Sequence, residues 1–490
     1  MSSFLGKPVR FCKMPLSFGS VVALWGFSFF TFRQVGFFFG TMQGTQRTLE
    51  HSGGLVKTLT LMPIVMIGLA YIQPMTLFDT FGIVSQITSG HVPSAYALAL
   101  LGILFTAFSY GKLVVRFPSA GSAYTYAQRT LSPTIGFMVG WSSLLDYLFM
   151  PMINILLAKI YFEAIVPSIP SWIFVVLLTL FMIGCNLRSL KLVAGFNGTI
   201  VCIQMGVVAV IIGLISYALI EQGGTPSLWS MKPFWDQNAA VVPMMAGAAI
   251  LCFSFLGFDG LSQLTEETVD AKKTMPKAIF LTALLGGIVF IVASYFLQRY
   301  FPDISRFKDP EASQPEIMLY VAGPVFQSVI LVFSSLTVLA SGMAAHAGVS
   351  RLMYVMGRDG VLPKRFFARL HPTWHTPVFN ILLAGALCLF AIKMDLVLAT
   401  ALINFGALVA FTFVNVCVIA EFFVRQGRRR NYADVFHYLL LPLCGCASVG
   451  VLWIHLETTA MVLGLTWATV GLVYLGFLTK GFHNPVPMLR

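Results

Sequence analysis

Residues 253–260 read FSFLGFDG and place an aspartate between two glycines inside a long apolar run. An earlier apolar run is interrupted in a similar way, because residues 72–76 read IQPMT and residues 78–82 read FDTFG. Proline cannot donate a helical hydrogen bond and glycine weakens a helix, so both stretches predict a break within a helix. Each break lies beside a Phe-Asp pair, which suggests that the two breaks have a common purpose.

The rest of the chain places these breaks in a membrane. Of 490 residues, 57% are apolar and only 10% are charged, whereas a soluble domain carries about 25% charged residues. This composition excludes a soluble globular protein. Because about 20 apolar residues of helix cross a bilayer, the length suffices for ten or more crossings, and the sequence predicts a polytopic helical membrane protein.

Apolar runs bounded by charged or Pro/Gly-rich segments predict twelve spans. The first and sixth spans contain the two breaks. The predicted spans are residues 62–88, 93–115, 134–163, 171–187, 193–220, 241–265, 277–300, 317–348, 377–393, 396–423, 434–455 and 459–479.

The charged residues of the chain are distributed unevenly among its loops. There are 31 Lys and Arg residues against 19 Asp and Glu, a formal net charge of +12. The basic residues collect on alternate loops, and this asymmetry predicts that both termini are cytoplasmic. The positive charge is therefore interpreted as a topology signal, with the lipid bilayer and not nucleic acid as the partner.

The first 41 residues do not fit this pattern. If the apolar run within 1–41 crossed the membrane, the charge asymmetry of every later loop would be inverted. We therefore expect 1–41 to be an atypical N-terminal extension that is not a native span, with translation starting at Met42. Residues 42–61 then form a cytoplasmic segment before the first span.

Three acids lie well inside predicted spans: Asp79 in the first, Asp146 in the third and Asp259 in the sixth. A charged group at membrane depth costs at least about 2.5–3.5 kcal/mol and marks a functional site by default. Lys159, toward the outer end of its span, is the only basic residue near their depth. The interpretation is that the missing positive charge arrives as substrate or proton. The alternative is neutralisation by a local basic residue or by backbone groups.

The helix-break residues are Gln73, Pro74, Gly257 and Gly260. Irregular backbone at membrane depth persists only where it is buried in protein or lines a cavity. Broken helices at corresponding places of two halves indicate the substrate site of an inverted-repeat transporter. Two simple Pro or Gly kinks are the alternative, and the acid beside each break favours the transporter.

Several classes of protein lack support in the sequence. No phosphate-binding loop, zinc-protease helix or kinase motif occurs, and the eight cysteines have neither a CxxC pair nor zinc-ligand spacing. We therefore expect no metal, no cofactor and no enzymatic activity. Transport would have to use an ion gradient or the membrane potential.

Several further strings carry a family resemblance. They lie before the third span, in that span, around the sixth, after the seventh and in the tenth: residues 117–127 (FPSAGSAYTYA), 140–147 (GWSSLLDY), 266–268 (EET), 276–279 (PKAI), 301–307 (FPDISRF) and 401–406 (ALINFG). On these motifs the chain from Lys57 to Pro487 resembles the amino acid–polyamine–organocation superfamily of secondary transporters. Within it, the strings are most similar to those of bacterial putrescine importers.

The resemblance implies an all-α integral membrane fold of twelve transmembrane helices. Residues 62–220 and 241–423 would form two inverted five-helix repeats, the LeuT-like arrangement, with helices 1 and 6 broken. Residues 434–479 would add two peripheral helices and 480–490 a cytoplasmic tail. The same resemblance implies a location in the cell inner membrane of a bacterium.

One departure from the family pattern concerns the substrate. Relatives that carry amino acids have a Gly-x-Gly turn in helix 1, whose backbone amides hold the substrate carboxylate. This chain has Ile72-Gln73-Pro74 there, without either glycine and without an amide donor at Pro74. The site is therefore expected to suit a diamine, which has no carboxylate.

The resemblance also implies roles for individual residues. Asp259 would bind the proximal ammonium and Asp146 the distal one, while Asp79 would be a third cavity anion or the proton carrier. Apart from the resemblance, we expect Glu266 and Glu267 to belong to an inner gate or a loop contact, with a solvated pair that balances Lys272 and Lys273 as the alternative. The substrate-binding candidates are Asp79, Asp146, Tyr147, Phe253, Phe255, Phe258 and Asp259, with the phenylalanines covering the methylene chain and Tyr147 adding cation–π attraction.

The expected function is import of putrescine, coupled to protons or driven by the membrane potential. Two alternatives stay open. One is a permease for cationic or neutral amino acids, or an exchanger of amines and amino acids. The other is a membrane sensor that does not transport.

Overall fold

A computed structural model describes residues 59–118, 122–188, 197–223, 228–237, 239–303, 307–358, 360–372 and 376–481. The chain divides into two compact units, Met1–Val56 and Lys57–Arg490, and the described residues all belong to the second. The expectations for residues 1–41 and for a start at Met42 therefore lie outside them.

The described chain is helical, with one isolated parallel bridge between Leu59 and Thr268. Short 3-10 helices occur at Gly260–Glu267, Pro310–Ala312 and Leu389–Ile392, and π-helical turns at Ile419–Arg425 and Phe436–Leu440. The α-helices are α1 Leu61–Ile72, α2 Thr76–Ile87, α3 Val92–Arg116, α4 Ser122–Thr130, α5 Pro133–Ile165, α6 Ser171–Arg188, α7 Asn197–Gly223, α8 Val241–Phe255, α9 Ala271–Tyr300, α10 Ser313–Arg358, α11 Lys364–Phe367, α12 Val378–Cys388, α13 Leu396–Val418, α14 Tyr432–Val435, α15 Leu441–Ile454 and α16 Thr458–Leu478.

Helices that can cross a membrane follow the predicted order. Nine of the described helices are long and apolar enough, α1 and α2 together form a tenth bent by 47°, and two shorter apolar helices are Ser171–Leu187 and Val378–Ile392. The all-α membrane fold predicted from the sequence is confirmed. The count of twelve crossings, the inverted repeats and the domain limits stay predictions.

The first break follows from the residues at its centre. α1 ends because Gln73 takes a left-handed conformation with φ of 49° and Pro74 brings no amide proton. The carbonyl groups left without a helical partner are met locally, since Thr76 Oγ1 lies 2.6 Å from the Gln73 carbonyl and 3.3 Å from that of Ile72. A break in the membrane interior is tolerated because its polar groups are bonded within the protein.

The second break begins at Leu256, which is extended, and turns at Gly257, whose φ is +116°. The chain resumes as a 3-10 helix from Gly260, so Gly257 provides the turn while Gly260 is already helical. A Cβ at Gly257 would lie 2.4 Å from the Cβ of Tyr71 in α1. The two breaks are thus in contact, and only glycine allows this distance.

Two groups of helices surround the breaks. α3 packs against α8 and α9, and α1 packs against α9, whereas α5 packs against α10 and α13. Because α5 carries Asp146 and α8 leads to Asp259, the two acids are brought together from different groups.

The last helix is attached to α5 by two tryptophans. Trp141 Nε1 donates to the Trp467 carbonyl at 2.9 Å, and Trp467 Nε1 donates to the Trp141 carbonyl at 2.8 Å. The two rings stack with centroids 4.9 Å apart. A glycine is needed at position 471, because a Cβ there would lie 2.3 Å from the Trp141 ring.

We expect Gly257→Ala to destabilise the protein and to impair transport. A side chain at this φ costs about 1–3 kcal/mol, and its Cβ would also collide with Tyr71. Gly260→Ala is the matched control, because a Cβ at Gly260 meets no atom within 4 Å. Melting of the purified variants in detergent measures the effect, and equal melting temperatures for the two would contradict this account.

Candidate functional site

The three predicted acids are all buried, with exposed fractions of 5% for Asp79, 6% for Asp146 and 7% for Asp259. They occupy two places. Asp146 and Asp259 interact electrostatically with each other, whereas Asp79 lies on α2 in a separate hydrogen-bonded cluster. The three acids predicted to lie inside apolar spans are thus buried, but the sequence did not show which of them are neighbours.

Asp259 lies directly after the turn of the second break. Its Oδ1 accepts a hydrogen bond from the Gly257 amide at 3.2 Å, and its backbone carbonyl accepts from Ser262 Oγ at 2.7 Å. The carboxylate thus helps to satisfy the polar groups that the break exposes. Capping by backbone groups, the alternative considered for these acids, accounts for part of the surroundings of Asp259.

Asp146 has different surroundings. Among the described residues no group hydrogen-bonds to its Oδ1, although the side chain is buried. Gly406 of α13 lies against it, since a Cβ there would be 2.8 Å from the Asp146 nitrogen. Cys252 of α8 interacts electrostatically with both Asp146 and Asp259. A buried carboxylate oxygen without a donor is costly, so this oxygen is suited to a partner that comes and goes.

Lys159, the basic residue considered for neutralising the acids, has other partners. Its Nζ lies 3.5 Å from the carbonyl oxygens of Ala391 and Ile392, at the end of the segment Leu389–Ile392. The lysine therefore caps carbonyl groups near the C-terminal end of α5. Among the ion pairs of the described residues, none includes Asp146 or Asp259.

Tyr71 lies beside Asp259 and was not among the site residues predicted from the sequence. Its side chain is 46% exposed although it lies against Gly257 and interacts electrostatically with Asp259. Tyr71 is thus an accessible tyrosine next to a buried acid. The available signal was its position two residues before Gln73, in the last turn of the broken helix.

The Asp79 cluster joins α2 to α5 and α10. Tyr161 Oη donates to Asp79 Oδ1 at 2.8 Å. Ser313 Oγ lies 2.7 Å from the Phe78 carbonyl and 3.0 Å from that of Asp79. Neither Tyr161 nor Ser313 was predicted, because each lies far from Asp79 in the sequence.

The predicted aromatic residues take up different positions. Phe255 packs against Tyr96 and Phe290, and Phe258 packs against Tyr110 and Phe411. Both phenylalanines are fully buried, so their rings contribute to packing in this conformation.

The other two predicted aromatic residues, Phe253 and Tyr147, are adjacent in sequence to residues of the acid pair's surroundings: Phe253 follows Cys252, and Tyr147 follows Asp146. Phe253 is 8% exposed in the last turn of α8. Tyr147 follows Asp146 on α5, is partly buried against the cluster around Trp141 and interacts electrostatically with Tyr110.

The first break and the predicted gate are linked to neighbouring segments. Gln73 Nε2 lies 3.5 Å from Asn154 Oδ1 on α5. After the second break, the Val269 amide donates to the Leu59 carbonyl at 2.9 Å, which joins the segment before α1 to the segment before α9. The side chains of Glu266 and Glu267 lie outside the part of the chain that the structure describes.

Comparison with known sequences identifies the family. The model of the amino acid permease family matches residues 63–479. The chain belongs to the amino acid permease family. This permease is 68% identical over 433 residues to the low-affinity putrescine importer PlaP of Escherichia coli K12, an alignment that covers 88% of this chain and 96% of the relative. The permease is a transporter and not an enzyme.

Two further relatives show the range of the family. The probable low-affinity putrescine importer PlaP of Klebsiella pneumoniae is 66% identical over 191 residues, which cover 39% of the permease and 97% of that relative. A methylthioribose transporter of Bacillus subtilis is 24% identical over 463 residues, with coverage of 88% and 95%.

We expect Tyr161→Phe to destabilise the permease, because it leaves the buried Asp79 Oδ1 without its donor. Loss of one partner of a buried hydrogen bond costs about 1–3 kcal/mol. Tyr217→Phe on α7 removes the same hydroxyl from an exposed tyrosine and is the control. Melting in detergent compares them, and a Tyr161→Phe variant as stable as Tyr217→Phe would show that the bond does not contribute.

Proposed function

We propose that the permease imports putrescine across the cytoplasmic membrane. The observation that carries this proposal is the buried pair Asp146 and Asp259 beside the two helix breaks, with Asp146 Oδ1 lacking a donor among the described residues. The 68% identity to an importer of that name supports the same substrate.

The chemistry of the pair suits a diammonium ion. An ammonium group that leaves water needs anions or several acceptors to replace its hydration. Asp259, whose carboxylate also accepts a hydrogen bond from the Gly257 amide, would bind the proximal ammonium. Asp146 would take the distal one, and its vacant Oδ1 would then gain a charge-assisted hydrogen bond. Since Pro74 supplies no amide, the first break offers little to a substrate carboxylate.

Tyr71 would form the wall beside the proximal ammonium. A tyrosine face contributes about 0.5–2 kcal/mol to cation binding, and more when the cation is desolvated. Phe253 and Tyr147 remain candidates for contact with the methylene chain and the distal ammonium.

We expect Asp146→Asn and Asp259→Asn each to lower putrescine transport by about a hundredfold or more. Loss of one partner of a buried charge pair costs roughly 3–5 kcal/mol, which corresponds to that factor. Counterflow of labelled putrescine in proteoliposomes measures the effect. Asp270→Asn is the control, because Asp270 is exposed in a surface pair with Lys273. Transport near the wild-type level would remove the substituted acid from the site.

Competition tests the substrate class. Unlabelled putrescine should abolish counterflow, whereas lysine and ornithine in tenfold excess should leave it nearly unchanged. Pro74 offers no amide to their carboxylate, and no ion pair of the described residues places a cation at Asp146 or Asp259. Inhibition by lysine equal to that by putrescine would favour the cationic amino acid permease or exchanger. Absence of any counterflow with putrescine would overturn the proposed substrate.

The coupling mechanism is proposed to involve Asp79. Two positive charges per substrate allow the membrane potential to drive import, and a carboxylate held by Tyr161 and set apart from the acid pair could carry a proton. The Leu59–Thr268 bridge next to Glu266 and Glu267 supports an inner gate at that place. We further propose a bacterial inner-membrane location with both termini cytoplasmic, on the basis of the basic loops.

We expect Asp79→Asn to keep counterflow but to lose accumulation driven by a pH gradient at zero potential. The amide can still accept from Tyr161 but cannot carry a proton. Uptake into proteoliposomes with an imposed pH gradient, clamped with valinomycin and potassium, separates the two activities. Loss of counterflow as well would identify Asp79 as a third anion of the substrate cavity.

A further inference from the structure

A cavity lies at the ends of helices that carry none of the three buried acids. It has a volume of about 230 Å³ and is enclosed by the ends of α6, α10 and α12 and by the segment before α12. Its lining includes Asn186, Ala347, Ser350, Arg351, Tyr354 and Ile381. With the proposed topology, this end of the helices faces the cytoplasm, so the cavity opens at the inner membrane surface.

The segment beside the cavity is basic. Between residues 349 and 377 the sequence has one acid, Asp359, against seven Lys, Arg and His residues. Arg365 and Arg369 alternate there with the exposed apolar side chains of Phe366 and Leu370. Cations next to exposed apolar side chains are typical of a segment that lies in a membrane interface.

The cavity combines an apolar interior with a cation at its edge. Arg351 is exposed, and within the described ranges it forms no ion pair. The wall behind it is fixed by buried polar contacts, because Asn380 Nδ2 donates to the carbonyls of Ser350 and Phe367. His346 Nε2 lies 3.0 Å from the Ile381 carbonyl. The cavity is therefore built into packed helices.

We propose that this cavity binds an anionic phospholipid. Its phosphate would lie at Arg351, with Tyr354 as a hydroxyl donor, and part of an acyl chain would enter the apolar space beside Ala347 and Ile381. Basic pockets between helices on the cytoplasmic side are suited to anionic headgroups. A soluble anion would leave the apolar walls unused. This proposal concerns a site distinct from that of putrescine.

Native mass spectrometry of the purified full chain with phosphatidylglycerol, and with phosphatidylcholine of the same acyl chains, tests the proposal. The wild type should prefer phosphatidylglycerol, and Arg351→Gln should lower that affinity about fivefold, the factor for one basic residue at an anionic surface. Arg351→Lys should keep the preference. Arg430→Gln, which removes an exposed cation from the loop after α13, should bind as the wild type does.

Ala347→Phe tests the contribution of the cavity to lipid binding independently of the surface charge. It fills the space without changing charge and should weaken phosphatidylglycerol binding, and melting temperature and putrescine counterflow report whether the variant is folded. Should it fail to fold, the Arg351 variants decide. Equal binding by wild type and Arg351→Gln, or equal loss with Arg430→Gln, would overturn the proposal. Stabilisation by inorganic phosphate that depends on Arg351 would also overturn it.

Discussion

The contact between Gly257 and Tyr71 is the constraint on which the rest of the permease depends. Two helices can stop inside a membrane only if their backbone groups are bonded within the protein. Here the turn of one break lies directly against the last turn of the other. A side chain at Gly257 would separate them, and the acid that follows the turn would move away from Asp146. The position of the acid pair thus rests on a backbone conformation that glycine alone adopts readily.

The three buried acids show three ways of placing a carboxylate at membrane depth. Asp259 is bonded to the backbone of its own break, and Asp79 receives a phenolic hydrogen bond from another helix. Asp146 keeps an oxygen without a donor among the described residues. Burial is most costly for this third arrangement. In the proposed mechanism, a cationic substrate relieves that cost only while it is bound, which allows the substrate to leave again.

Much of this structure could be predicted from local sequence pattern. Apolar runs located the helices, and Pro74 and Gly257 located the breaks, because these residues change the backbone wherever they occur. The partners of the acids could not be predicted in this way. Tyr71, Tyr161 and Ser313 reach them across the fold, and no local pattern encodes that distance. The sequence also did not show which way the phenylalanines near Gly257 face. Helical periodicity ends at the break, so it cannot assign their side chains to one face of a helix.

The tryptophan pair couples α16, the last of the described helices, to the helix that carries Asp146. Trp141 is five residues before Asp146 on the same helix, and each indole bonds to the other's backbone. These two bonds fix the rotation and depth of α5 from outside the helices that carry the breaks. α16 therefore stabilises the position of α5, the helix that carries Asp146. A truncation that removes α16, or a bulky fusion that displaces it, would therefore shift α5 and with it the Asp146 carboxylate.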